Sequence, residues 1–285
     1  MRKFGLITGT GKYIDITSRK ILFHDPSGLG FDMDESYRTI GQRWSLLSSE
    51  RSQTPISGSL AFIGDDPYAQ YYEFVRDVSP KGLKFTYTTD DGRSVYKKDV
   101  RIKSLEKTEL TEAGFLDCSV EFTPSTPWYR ELTLVTTPAR ITDNDGWVWE
   151  EHTEWPNRFR STADMSIVID VDTDTESPCA LIIDGPITNP TWSHYVNGVL
   201  FETGKINCTV LSGNHLVIDN RRDPYRIAIF NSDLTSMVQD VYQLSDFTTK
   251  RFIKLQNGQN SIQVSADSAT TVEIRMEANL YYDSV

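Results

Sequence analysis

The chain has 285 residues and a formal net charge of −11, with 40 Asp and Glu against 29 Lys and Arg. That length suffices for two domains or one large β domain with a real core, and the acidic balance excludes nucleic-acid binding through a general basic field. Three scattered cysteines, Cys118, Cys179 and Cys208, form neither a disulfide framework nor a Cys-x-x-Cys zinc site, and they fit synthesis in a reducing cytoplasm.

The N-terminus, MRKFGLITGTGKYIDI, has two basic residues but no apolar run behind them, so it is not a signal peptide. No stretch approaches the ~18 apolar residues of a membrane span. Gly9-Thr10-Gly11-Lys12 resembles a phosphate loop only briefly. That motif needs a further glycine where Leu6 stands and a Ser or Thr where Tyr13 stands, so a turn between the first two strands is expected instead. Asp66 and Pro67 then open a helix, one as side-chain cap and the other at the first helical position. Tyr71, Phe74, Val75 and Val78 gather on one of its faces, and Pro80 and Gly82 end it.

Phe85 and Tyr87 alternate with polar residues, Asp91-Gly92 makes a tight turn, and Val95, Val100 and Ile102 follow, which predicts a hairpin. Pro124-Ser125-Thr126-Pro127 stops regular pairing and marks a domain junction, giving domains of 1–127 and 128–285. Trp147-Val-Trp149-Glu150-Glu-His152-Thr-Glu154-Trp155 is the most sugar-like or enzyme-like segment. Its rings could stack on sugars and its carboxylates could serve glycoside cleavage. Trp147 and Trp149 also sit as two large residues on one strand face, which packing explains equally.

Met165 to Val171 reads as a buried strand. Asp170, Asp172 and Asp174 start like a calcium loop, but Thr175 and Leu181 stand where the glycine and the bidentate glutamate belong. Asn197-Gly198 and Asn257-Gly258 are turn signals, and a short second helix is expected at Asp233 to Tyr242. Ile262 and Val264, then Val272, Ile274 and Met276, alternate as closing strands. His24, His152, His194 and His215 have no metal-binding spacing, and there is no Gly-x-Ser-x-Gly elbow. Short strands at this spacing predict a mainly β protein of sandwiches or barrels, without cofactor, metal or catalytic set.

Several segments, in order, resemble the distal tail (Dit) proteins of phages with long non-contractile tails. In the first domain they are Gly28-Leu29-Gly30, Gln53 to Phe62, Tyr72-Glu-Phe74, Leu83-x-Phe85-x-Tyr87, Leu105 to Glu109 and Ser125 to Tyr129. In the second they are Ile183-x-Gly185-Pro-Ile-x-Asn189-Pro190, Leu216-x-Ile218-Asp219 and Phe252-x-x-Leu255-x-x-Gly258-x-Asn260-x-Ile262. No single element is specific; the ordered set is. The resemblance implies an N-terminal β-sandwich with one helix and a long hairpin that wraps neighbours, and a C-terminal galectin-like β-sandwich.

It also implies a virion protein: a homohexameric ring at the distal end of the tail, between the major tail protein of the tube and the hub or tail-fibre protein. In many phages the ring anchors receptor-binding proteins. No membrane contact or specific nucleic-acid binding is implied, and an acidic ring suits a DNA conduit because a basic lumen would hold phosphates. The stretch Asp34 to Gly58 fits this picture. Tyr37, Ile40, Trp44, Leu46 and Leu47 are too apolar for a free loop and suggest an inter-subunit hairpin. The galectin His-Asn-Arg set with a stacking Trp does not map onto the second domain, although Trp192 and His194 are close. Two alternatives stay open: a glycan-binding module using Trp147, Trp149, Trp155 and Trp192, and a hydrolase using Glu150 or Glu154.

Overall fold

The computed structural model describes residues 2–89, 94–135, 139–140, 165–269 and 271–285. The chain divides into two compact units, Met1–Arg130 with Tyr281–Val285, and Glu131–Leu280. The Asp91-Gly92 turn falls outside the described residues, although its flanking strands pair as a hairpin from Thr88↔Val95 to Lys84↔Asp99.

The first unit is a β-sandwich. Lys3–Ile7 lies between Tyr13–Asp15 and Lys84–Thr88, and Val95–Leu105 continues that sheet. Ile21–Ser27, Ile56–Phe62 and Leu116–Pro124 build the second sheet. Val95–Leu105 serves both, because its second half pairs with Leu116–Pro124 beyond Val100 and a register shift sits between Ile102 and Ser104. A bulged strand that changes sheets makes a sandwich corner. Gly11, with φ +85°, closes the first turn, where its N–H donates to Thr8 O at 2.8 Å.

Aromatic rings fill this sandwich. The Phe85 centroid lies 5.3 Å from Phe122, 5.7 Å from Phe23 and 6.1 Å from Trp128, all edge-to-face. The expected helix spans Pro67–Val78. The Ala69 N–H donates to Asp66 Oδ1 at 2.9 Å, and Pro67 lacks a donor that the first turn could not use. Its inner face buries Tyr71 and Phe74, each with its ring 5.5 Å from Phe62. The unit also holds the last residues of the chain. Tyr281 packs on Tyr129 at 6.5 Å and Tyr282 on Tyr96 at 5.1 Å, a return that a single cut after Pro127 does not provide for.

The second unit is also antiparallel. Ser177–Asp184 pairs with His215–Asp219 on one side and Ile274–Tyr282 on the other, and Arg226–Phe230 and Met237–Asp240 extend the sheet. A second sheet runs Met165–Val171, Gly258–Ser265, Thr191–Val196, Val199–Lys205. Leu181, Ile183, Leu216, Ile218, Met276 and Ile262 are buried. The Asn197-Gly198 turn forms as expected, with φ of +51° and +80° at the two residues. Two successive positive φ values match the twist of a two-residue hairpin.

The helix expected at Asp233 to Tyr242 does not form. Asp233 accepts the Thr235 N–H and hydroxyl in a turn, Leu234 takes φ +59°, and Met237–Asp240 is an edge strand before a single 3₁₀ turn at Tyr242–Leu244. A short side-chain acceptor in competition with the helix ladder decides this, since Asp favours such local bonds.

A candidate assembly surface on the first unit

Met33–Ile40 and Arg43–Arg51 form a two-stranded antiparallel arm, paired from Met33↔Arg51 to Ile40↔Arg43. Gly41, with φ +65°, turns its tip. Glycine at the first central position of a two-residue hairpin suits the strand twist. A register shift after Ser36 leaves Leu47 as the extra residue.

The register sorts the arm into two faces. One holds the pairs Tyr37↔Leu46 and Thr39↔Trp44, followed by Glu35↔Ser49. The other holds Arg38↔Ser45, Ser36↔Ser48 and Asp34↔Glu50. Two hydrogen bonds agree with that sorting: Tyr37 donates its hydroxyl to Glu35, and the Ser36 and Ser48 hydroxyls meet at 2.6 Å. The Glu35 carboxylate raises the Tyr37 pKa. Tyr37, Leu46 and Trp44 therefore form one apolar strip. Trp44 is 76% exposed, Leu47 64%, Ile40 60%, Tyr37 53% and Leu46 51%. All five of these residues lie on the arm, three of them in the strip, with Ile40 paired to Arg43 on the opposite face and Leu47 at the bulge, and among the described residues nothing covers the strip.

The root of the arm is fixed to the sandwich. The Ser52 N–H donates to Asp32 O at 2.9 Å, Arg51 pairs with Asp283, and the Gln53 amide donates to Pro124 O. Trp128, fully buried, donates its indole N–H to Leu29 O at 3.0 Å. A cleft of about 670 Å3 lies elsewhere on the unit, lined by Tyr71, Val75, Val78, Leu83, Ile102 and Leu105.

The other candidates fare differently. Trp192 is 1% exposed, and its ring lies where a Cβ on Gly204 would stand, 2.3 Å away. It presents no free face for a sugar. Trp147, Trp149 and Trp155, with Glu150 and Glu154, lie outside the described residues. His194 is buried between Asn260 Oδ1 at 2.9 Å and Glu202 at 3.3 Å, a tie between strands. His24 bonds Asp25 and Asp117, which raise its pKa, and His215 bonds Asp184 at 2.6 Å. Burial pushes the Cys179 thiol up to about 12 and the Cys208 thiol up to about 11, so neither is a thiolate nucleophile near neutral pH. Asp170, Asp172 and Asp174 are exposed in alternation with buried Ile169, Val171 and Thr173. Among the described residues no group of three or more His, Cys, Asp or Glu could hold a metal, and no helix is long and apolar enough to cross a membrane.

Lys98 was not among the sequence candidates. It is 5% exposed at the root of the arm, and its ammonium lies 5.1 Å from the Trp128 ring centroid. Burial, and then the charge of Arg51, lower its pKa from 10.5 to about 8. Its parity with Val100 and Ile102 in one strand was the signal that could have marked it as inward-facing.

A two-unit β protein whose first sandwich carries a protruding arm is the class that the fold defines. Residues 3–125 match the family model described as distal tail protein, N-terminal domain. The chain is similar over its whole length to a chain of the phage P2 baseplate in its activated, calcium-containing form, with 16% identity, full coverage of both chains and a TM-score of 0.63. It is also similar to the Dit protein of phage SPP1, a hub of the adsorption apparatus, with 12% identity, 97% and 98% coverage and a TM-score of 0.61. No curated protein matches it. Residues 3–125 thus match the distal tail (Dit) N-terminal domain family, and the chain shares its fold with these two tail proteins along nearly its whole length.

Proposed function

We propose that this protein assembles as a hexameric ring at the distal end of the tail, between the last ring of major tail protein and the hub or tail-fibre protein, with its second unit available to receptor-binding proteins. It acts by assembly and performs no catalysis. The observation that carries this reading is the arm. An isolated two-stranded hairpin is marginal in water, and an apolar strip of this size left uncovered marks a protein contact. A head-to-tail ring needs two different, complementary patches on each copy. The arm supplies one, and the apolar cleft beside the helix supplies the other. The SPP1 relative is described as a hub of an adsorption apparatus, which supports the same place in the virion.

Light scattering after size exclusion tests the proposal. A particle of about six times the 32.4 kDa chain mass is expected, and Trp44→Asp should dissociate it. An intact oligomer in the W44D variant would remove the arm from the interface. A stable monomer with measurable affinity for cell-wall glycan would replace the proposal with a glycan-binding one.

A further inference from the structure

The root of the arm contains a pocket of about 280 Å3, lined among others by Arg51, Ser52, Lys98, Ser125, Thr126 and Asp283. Lys98 is the unexplained group in it. The side chain is nineteen-twentieths buried, and its ammonium lies 5.1 Å from the Trp128 ring centroid. Among the described residues no carboxylate or other acceptor is paired with it. The one carboxylate in the pocket wall, Asp283, is paired with Arg51. A buried cation without an anion is unfavourable, and an aromatic face offsets only part of that cost. Thr126 adds a second donor: its hydroxyl oxygen accepts the Asp99 N–H at 3.0 Å, which leaves the hydroxyl hydrogen to donate.

We infer that this pocket receives a carboxylate from a second copy of the chain, which pairs with Lys98 when the copies assemble. The inference rests on the reading of the arm as a subunit contact. The Arg43–Arg51 strand ends in the pocket wall, so a neighbour packed along the arm passes its mouth. The occupant also fits by charge and size. A chain with 40 Asp and Glu presents carboxylates to its neighbours, and the volume admits one side chain end. An ammonium, a hydroxyl and a neighbouring guanidinium together form a donor set for a carboxylate.

Lys98→Met keeps the length of the stem and removes the charge. The full-length variant is compared with the wild type by sedimentation across a concentration series, with thermal melting of the dissociated chain alongside. The dissociated K98M chain should melt at or above the wild-type temperature, because a buried charge has gone. Its assembly should weaken at least tenfold at pH 7. Wild-type assembly should weaken as pH rises above 8, because the assembled state holds the proton more tightly than the free chain does. K98M assembly should be flat over that range. Arg51 and Asp283 are the other charged groups in the pocket wall.

Wild-type affinity and pH profile in K98M would overturn the inference. If W44D dissociates the particle and K98M does not, the arm stands and the pocket carboxylate falls. If W44D has no effect, the arm reading itself falls. A melting shift of the wild type with inorganic phosphate, absent in K98M with assembly unchanged, would assign the pocket to a free anion and overturn the carboxylate of a second copy. Should K98M not fold, Lys98→Gln carries the same comparison.

Discussion

Two hairpins in this molecule end in tight turns and carry exposed apolar residues, yet only one of them lacks a buried face. Thr191–Val196 and Val199–Lys205 expose Val199 at 70%, Leu200 at 53% and Phe201 at 53%. Their inner face is nevertheless filled, because Trp192 and His194 are buried and Gly258–Ser265 pairs along the open edge. Phe201 also leans on His194, with ring centroids 5.7 Å apart. Among the described residues the arm has no third strand and no buried face, from Met33 to Glu50. Scattered apolar exposure on a sheet that already covers a core is ordinary. An apolar strip on a hairpin with neither face covered points to a partner.

That contrast can be broken by substitution. Trp192→Ala should destabilise the second unit by ~3–5 kcal/mol, read as an early thermal or denaturant transition, because it empties a filled core. Trp44→Asp should cost assembly ~2 kcal/mol or more by light scattering, the scale of a central aromatic anchor. The dissociated chain should keep its melting temperature, because Trp44 is exposed in it and surface changes stay within about 0.5 kcal/mol. If W192A melts like the wild type, or if W44D alone unfolds the dissociated chain, the two hairpins do not differ as described.

Smaller effects sharpen the comparison. Gly204→Ala should cost ~1–3 kcal/mol, since its Cβ would fall 2.3 Å from the Trp192 ring and 2.5 Å from Lys250 O. Gly41→Ala meets nothing within 4 Å and should cost only ~1 kcal/mol, from φ +65° alone. Denaturant titration of both variants checks the order. Lys98 gives the pH dependence of the dissociated first unit. Its folded pKa, about 8, lies below its ordinary 10.5, so the unfolded chain binds more protons between those values. Stability should therefore rise as pH climbs from about 8 toward 10.5, by ~1–3 kcal/mol, and Lys98→Met should abolish the rise.

The local elements were legible because their signals are local. Asp66 and Pro67 state where the helix begins, and Asn197-Gly198 states a hairpin, through backbone chemistry that needs no distant partner. Tyr37, Ile40, Trp44, Leu46 and Leu47 stood out because their hydrophobicity contradicts a solvated loop. The failures came where local and tertiary terms compete. Asp233 to Tyr242 has an apolar content that suits a helix, but the Asp233 turn and the edge pairing with Arg226–Phe230 drew it into a strand. Trp192 looked available for stacking, and only the pairing of Thr191–Val196 between two strands buries it.

By itself the sequence determined the β character, the helix, the turns and the apolar content of the arm, since each follows from side-chain spacing and backbone preference within a few residues. The tertiary structure decided which apolar residues are covered. Trp128, Trp192 and Trp44 are chemically alike, and their exposures are 0%, 1% and 76%. It also decided the environment of Lys98, whose burial depends on Trp128, Arg51 and the returning C-terminus coming together from distant parts of the chain. Burial is a property of the whole packing arrangement, so the uncovered strip of the arm and the buried setting of Lys98 became visible only once the strands were in place.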